Sequence, residues 1–301
     1  MTSYRSALAS ARGRLADGGI DTAALDARLL LAAAAGLDAA ALIARDAEAL
    51  PPLAIEVFDT YLLRRLAREP VSRILGEKEF YGLPFRLGAA ALVPRAETEI
   101  LVDAVLVELR ERRLLRPTIC DLGVGTGAIL IALLVALPEA RGVGVDISVA
   151  ALDIARENAE KLGVAARISF HRSDFAGGPV GPFDVGVSNP PYIRSDAIED
   201  LEPEVRMYDP RIALDGGADG LDAYRAILAR APELLAPRGL LAFEVGHDQS
   251  EAVSALCVAA GLDNIRVRPD LGGIARVVTA QAEGADGHAA KKSLGKVRVS
   301  G

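Results

Sequence analysis

An α/β fold built on a mostly parallel sheet is what this 301-residue sequence predicts, and three observations carry it. From Pro117 to Gln281, short apolar runs of strand length alternate with segments of helical periodicity. The first run ends in a glycine-rich turn, Asp121-Leu-Gly123-Val124-Gly125-Thr126-Gly127, that opens a helix. The fourth runs into Asn189-Pro190-Pro191-Tyr192, where two prolines forbid the strand to continue. Sheets of this kind gather their ligands at the carboxyl ends of the strands, where both turns fall.

Taken in order, residues 3–69 read as an Ala/Leu-rich helical module. Asp21-Thr22 is placed to cap a helix over 23–35, and Pro51-Pro52 opens another through Phe58, Leu62, Leu63 and Leu66. The pattern then shifts to short aromatic pieces broken by Gly82 and Pro84, which predicts a hairpin between two domains. Glu97 and Glu99 fall in the first turn of a helix running to about Arg113, as capping charges or as part of a pocket rim. Strands follow over 118–122, 142–146, 167–171, 183–188, 239–245, 264–268 and 275–279, with helices over 128–136, 149–162, 221–235 and 249–260 between them. Residues 282–301 have little to bury and read as a disordered tail.

The bulk composition removes several function classes. With 51% hydrophobic and 25% charged residues the chain is an ordinary globular one, and its net charge of −7 opposes duplex nucleic-acid binding. No N-terminal apolar segment resembles a signal, and the longest apolar runs, 29–37 and 128–138, are too short for a bilayer. Cys120 and Cys257 stand apart, and His171, His247 and His288 are scattered, so neither a disulfide framework nor a metal site is expected. The expectation is a cytoplasmic protein.

The chemistry concentrates at the two turns. Past a strand that ends in Pro-Pro, the carbonyls of Asn189 and Pro190 cannot join a ladder and are left as acceptors. A planar –NH2 group suits them: the Asn189 side-chain oxygen and the Pro190 carbonyl each take one hydrogen, and Tyr192 offers a flat face. Two acceptors pulling on those hydrogens return electron density to a nitrogen whose lone pair is delocalised, making it a better nucleophile. On the other side, the glycines let a ligand approach the backbone, and Asp146 at the end of the second strand can accept both hydroxyls of a ribose. Gly123, Gly125 and Ala128 also satisfy a dinucleotide-binding pattern, so the loop alone does not choose its cofactor.

Asp121 with the third glycine, Gly127, resembles the Asp-x-Gly-x-Gly-x-Gly loop of S-adenosylmethionine methyltransferases, and Asp174-Phe175 after the third strand falls where those enzymes hold adenine. Over about residues 5–280 the sequence is similar to the release-factor glutamine methyltransferases. The similar segments are Arg73-Ile-Leu-Gly-Glu-Lys-Glu-Phe-Tyr-Gly-Leu-Pro-Phe85, Leu92-Val-Pro-Arg-Ala-Glu-Thr-Glu99, the loop Asp121 to Gly127, Asn189-Pro-Pro-Tyr-Ile193, Tyr208-Asp-Pro-Arg-Ile-Ala-Leu-Asp-Gly-Gly217 and Phe243-Glu-Val-Gly246.

The resemblance implies a Rossmann-like, seven-stranded methyltransferase domain over 96–281, preceded by a substrate-docking helical domain over 1–72 and a hairpin linker over 73–95. It implies S-adenosyl-L-methionine held by Gly123, Val124, Gly125, Thr126, Gly127, Asp146, Asp174, Phe175 and Asn189. Asn189, Pro190, Pro191 and Tyr192 would hold the substrate, the glutamine of the Gly-Gly-Gln motif in class 1 peptide chain release factors. Ala96 stands where the family usually has proline, and Phe175 where it often has tryptophan. Methyl transfer to adenine N6 of a nucleic acid is the nearest alternative, because that amine would fit the same tetrapeptide. A non-catalytic translation-factor-binding protein is another, and a nicotinamide-dependent oxidoreductase leaves Pro-Pro unexplained.

Overall fold

The computed structural model describes residues 2–284, so most of the expected tail lies outside the described residues. The chain divides into two compact units, the first running to Glu77 and including Glu202–Tyr208, the second holding Lys78–Leu201 and the chain from Asp209. Among the described residues no helix is long and apolar enough to cross a membrane.

In the first unit, α1 (Tyr4–Asp17), α2 (Ala23–Ala35), α3 (Ala39–Ala44), α4 (Pro52–Leu66) and α5 (Val71–Leu75) bury Leu15, Leu30, Leu31, Leu42, Phe58 and Leu62 in one core. Ser3 caps α1 through a reciprocal bond with Ser6, whereas Thr22 sits at the start of α2 without a side-chain cap. Arg65 is 6% exposed and its charge is matched on two sides, by Asp26 at 2.7 Å and by Glu204 at 3.0 Å. Pairing is what makes such burial tolerable; removing one partner of a buried pair costs about 3–5 kcal/mol. The Tyr208 hydroxyl also donates to the Ala67 carbonyl at 2.6 Å, so the excursion Glu202–Tyr208 is fastened to this unit by charge and by a hydrogen bond.

The second unit opens with the hairpin β1 (Glu77–Phe80) and β2 (Leu83–Arg86), turned at Tyr81 and Gly82, both with positive φ. This hairpin is more than a linker. Phe80 and Phe85 meet edge to face, their ring centroids 6.0 Å apart, and lie in the core shared with α6 (Glu99–Glu111) and α7 (Ala128–Ala136). The part of the expected linker over 73–75 is helix, the end of α5. Glu99 lies in the first turn of α6, as expected, and also accepts from the Tyr81 amide at 2.8 Å, which holds the hairpin turn.

Seven strands form the main sheet in the order β5-β4-β3-β6-β7-β9-β8. They are β3 (Thr118–Leu122), β4 (Arg141–Asp146), β5 (Ile168–Arg172), β6 (Phe183–Ser188), β7 (Leu235–Glu244), β8 (Asp263–Pro269) and β9 (Ala275–Gln281). β3 to β7 run parallel and β9 runs antiparallel to both β7 and β8. From β3 the chain winds outward through α7, β4, α8 (Val149–Lys161) and β5, then returns to lay β6 on the other side of β3. Diverging connections at β3 leave a crevice at its carboxyl end, the position at which doubly wound sheets bind ligands. The single helix expected over 221–235 is two pieces, Asp222–Ala229 and Ala231–Leu234, because Pro232 cannot donate within a continuous helix. β7 correspondingly starts earlier than expected, with an irregular register against Phe183 and Val185.

Candidate active site

The crevice at the end of β3 is a cleft of about 380 Å³. Gly123, Gly125, Asp146, Asp174, Phe175, Asn189 and Pro191 line it together, so both turns singled out by the sequence reach one space. Their spacing is fixed from below: the buried Ser188 hydroxyl, at the end of β6, donates to the Leu122 carbonyl at the end of β3 at 2.5 Å.

The glycine turn is held by its neighbour strand. The amides of Gly123 and Val124 both donate to the Val145 carbonyl, at 2.8 and 2.9 Å. Gly123, Gly125 and Gly127 have φ of +80°, +54° and +83°, a region costly for other residues. A methyl group on Gly125 would find only Ala91 at 4.0 Å, so the backbone there is open to a guest. Val124 and Gly127 turn to packing: Val124 joins the core, and a methyl on Gly127 would strike Ile131. Thr126 is buried, and its carbonyl accepts from Asn158. These three do not line the cleft.

Asp146 accepts from Gly125 N through Oδ2 and from Ser148 N through Oδ1, each at 2.9 Å. Each oxygen keeps a further lone pair for a hydroxyl, and Ile147, Phe175 and Ala90 supply apolar walls nearby. A nucleoside group, as in S-adenosyl-L-methionine, fits this set of one carboxylate, exposed glycine backbone and flat apolar surface. Asp174 lines the cleft with Oδ1 bonded to the amides of Ala176 and Gly177 at 3.1 and 2.7 Å. Beneath the turn, Asp121 is fully buried, and among the described residues neither carboxylate oxygen has a partner at ordinary hydrogen-bond geometry. Burial pushes its carboxyl up to about 8; the Leu130 amide opposes this weakly, and the Asp146 charge adds to it.

On the other wall, no hydrogen bond among the described residues engages the backbone carbonyls of Asn189 or Pro190. Asn189 is half-buried, and its Nδ2 donates to Thr98 Oγ1 at 3.2 Å. Pro190 is buried, while Pro191 faces the cleft. The Tyr192 ring lies outside the lining, against Gly246 and the core around Tyr224 and Phe243, and burial raises its hydroxyl to about 12. Its carbonyl takes a hydrogen bond from Gln249 at 3.0 Å.

The sequence reading missed two sets of residues. Ile212, Ala213, Asp215, Asp222 and Ala223 form a further wall, fastened to the tetrapeptide's exit by paired bonds between Ile193 and Leu214 and between Gly216 and Ile193. For Ile212, Ala213 and Asp215 the only signal was membership of the segment Tyr208 to Gly217, and for Asp222 and Ala223 it was the start of the helix expected over 221–235. The second is Glu244, 3% exposed at the end of β7, with burial raising its carboxyl to about 7 against hydrogen bonds from Thr98 and Asn189 and the charge of Arg276. A lone glutamate in an apolar run, Leu240-Leu-Ala-Phe-Glu244-Val, was the available clue.

Comparison with known proteins accords with this geometry. A family profile described as PrmC N-terminal domain matches residues 6–76, and one described as methyltransferase domain matches 116–261. A release factor glutamine methyltransferase of Bradyrhizobium diazoefficiens is 48% identical over 281 residues, covering 93% of this chain and 95% of that protein. One from Moorella thermoacetica is 45% identical over 271 residues, covering 89% and 95%. Among solved structures, the hMettl16 catalytic domain shares the fold, with a TM-score of 0.53 at 14% identity over 77% of this chain and 81% of that one. With identity of this level sustained across both units, the chain belongs to the release factor glutamine methyltransferase family.

Proposed function

We propose that this protein methylates the side-chain amide nitrogen of the glutamine in the Gly-Gly-Gln motif of class 1 peptide chain release factors, with S-adenosyl-L-methionine as donor. What supports the reading is that Asn189 and Pro191, on either side of the unengaged Pro190 carbonyl, line the same cleft as Gly123, Gly125 and Asp146.

The cofactor supplies an electrophilic methyl group on its sulfonium. The protein's own task is positional: Gly125 and Asp146 hold the nucleoside, with Phe175 and Ile147 against its base. Asn189 Oδ1 and the Pro190 carbonyl each accept one hydrogen of the substrate –NH2, which orients the nitrogen and strengthens its lone pair. The lining contains no histidine, and none is needed, since the N-methylated amide is strongly acidic until it loses its proton to water.

Adenine N6 would satisfy the same acceptors, but the wall opposes a polyanion. Asp215 and Asp222 face the cleft, and hydrogen bonds from Ser195 and Gly217 hold the Asp215 carboxyl below its usual range, keeping it charged. Incubation with the labelled cofactor and either a purified release factor or plasmid DNA tests the reading. The Gly-Gly-Gln peptide should gain the mass of one methyl group; label on the DNA with an unmodified peptide overturns it.

A further inference from the structure

Two side chains from distant parts of the second unit, Thr98 and Glu244, meet behind the Asn189 amide. Thr98 lies where a 3-10 turn, Ala96–Thr98, passes into α6; it is 4% exposed, and its hydroxyl makes no cap bond to that helix. It accepts from Asn189 Nδ2 at 3.2 Å, and the Glu244 carboxyl, 3% exposed, lies near enough for the Thr98 and Asn189 side chains to lower it against the effect of burial. Among the described residues Glu244 Oε2 has no hydrogen-bond partner.

Elementary hydrogen-bond chemistry gives this chain a direction. An ionised carboxylate only accepts, so Thr98 must donate to it. A hydroxyl has one hydrogen, and with that hydrogen committed to Glu244, Thr98 can only accept from Asn189. The inward end of the Asn189 amide is therefore Nδ2, which leaves Oδ1 to meet a guest. A protonated Glu244 removes the constraint: it can donate to Thr98, Thr98 can donate to Asn189 Oδ1, and the reversed amide becomes an equal alternative. That reversed amide would set –NH2 against the substrate's –NH2, donor against donor.

We propose that Thr98 and Glu244 are positioning residues that fix which way the Asn189 amide faces, with the ionised Glu244 carboxylate setting the direction. This rests on the reading of Asn189 as the acceptor of the substrate amide.

The groups around Glu244 are Arg276 from β9, itself bonded to Asp270 at 3.0 Å, Glu97 and Thr98 before α6, Asn189 after β6, and the rings of Tyr192 and Tyr224. The Tyr224 hydroxyl donates to the Glu244 backbone carbonyl at 2.8 Å, and both tyrosine hydroxyls are raised by burial, away from neutral pH. Because Glu244 is an acid lifted to about 7, turnover should fall as pH drops through that value. Asp121 is lifted as well, so the test is which variant loses the acidic limb, not that the limb exists.

The full-length protein is assayed on a purified release factor from pH 6 to 8, with cofactor affinity measured by calorimetry. Thr98→Val keeps the shape and removes the hydroxyl; kcat should fall roughly 10- to 100-fold, somewhat less than on losing a direct oxyanion donor, with cofactor Kd within about 3-fold. Thr98→Ser should restore most of the loss. Glu244→Gln can still accept from Thr98 but does not titrate, so it should keep measurable turnover and lose the acidic limb. A Thr98→Val protein with wild-type kcat overturns the proposal, as does a Glu244→Gln protein with an unchanged limb. Should Thr98→Val fail to fold, the Glu244→Gln profile decides. A wild-type protein inactive on release factors defeats the underlying reading; an Asn189→Ala protein that is dead beside a fully active Thr98→Val defeats this inference alone.

Discussion

The two walls of the cleft are held by opposite means. At the end of β4, Asp146 is anchored by amides from its own neighbourhood, Gly125 and Ser148, and the glycine turn hangs from the Val145 carbonyl. At the end of β6, the Pro190 carbonyl is left unbonded among the described residues and Asn189 is held by Thr98, with Glu244 behind, both from far away in the chain. The first wall is a local fold of backbone suited to the nucleoside of the proposed cofactor. On the proposed reading the second presents two acceptors to a single nitrogen, and its supports come from several strands. Binding and chemistry would then rest on different kinds of structure.

The largest expected effect comes from breaking the second wall. Asn189→Ala should lower methyl transfer by roughly 10²-fold or more while leaving cofactor affinity within a few fold, because one of two oriented acceptors is gone. Single-turnover assays beside calorimetry check it, and near-normal turnover would remove Asn189 from the mechanism. Breaking the first wall should invert the pattern. Asp146→Ala should raise the cofactor Kd by about 10- to 100-fold, since hydrogen bonds to a charged acceptor contribute about 1.5–3 kcal/mol each, with a smaller change in kcat at saturating cofactor. An equal loss in both parameters would mean that the walls are not separable.

A subtler contrast lies in the buried carboxyls. Asp121 is lifted to about 8, far above its unfolded value of 3.8, so the folded chain binds the extra proton between those limits. Stability of the cofactor-free protein from this group is full at low pH and is lost as pH rises toward 8. Asp121→Asn should flatten that decline in melting temperature. Some slope should survive from Glu244, which acts in the same sense up to about 7. A decline unaltered by Asp121→Asn would show that the carboxyl is not the source.

Phe175→Trp should have the smallest effect. The ring already sits 3.4 Å from where a side-chain carbon on Gly123 would be, so a larger face should tighten the cofactor by no more than a few fold. The sequence has no tryptophan, so the substitution also installs a single fluorophore at the first wall. Its emission should change on adding cofactor and stay unchanged in an Asp146→Ala background at the same cofactor concentration.

Both turns could be read because each is written in consecutive residues. Three glycines within five positions require positive φ, and Asn-Pro-Pro after an apolar run requires a strand to stop with its carbonyls exposed. The strand spacing likewise reports local backbone preference. Glu97 and Glu99 show the limit of such reading. Both do lie in first helical turns, but Glu99 also holds the β1–β2 turn, and it is the uncharged Thr98 between them that reaches Asn189. Tyr192 shows it again: an aromatic beside the tetrapeptide suggested a stacking face, but the close approach of Gly246 draws its ring toward the core.

By itself, then, the sequence determined the alternation of strand and helix, the glycine turn, the acidic end of β4 and the strand end at Asn-Pro-Pro-Tyr after β6. Tertiary structure alone decided that Thr98, Asn189 and Glu244 converge, that the Ile212–Asp222 wall closes one side, and that Glu202–Tyr208 leaves one unit for the other. The physical reason is range. Turn chemistry depends on dihedral angles a few residues apart, whereas these meetings depend on strand order, which places β6 and β7 side by side although nearly fifty residues separate Ser188 from Leu235.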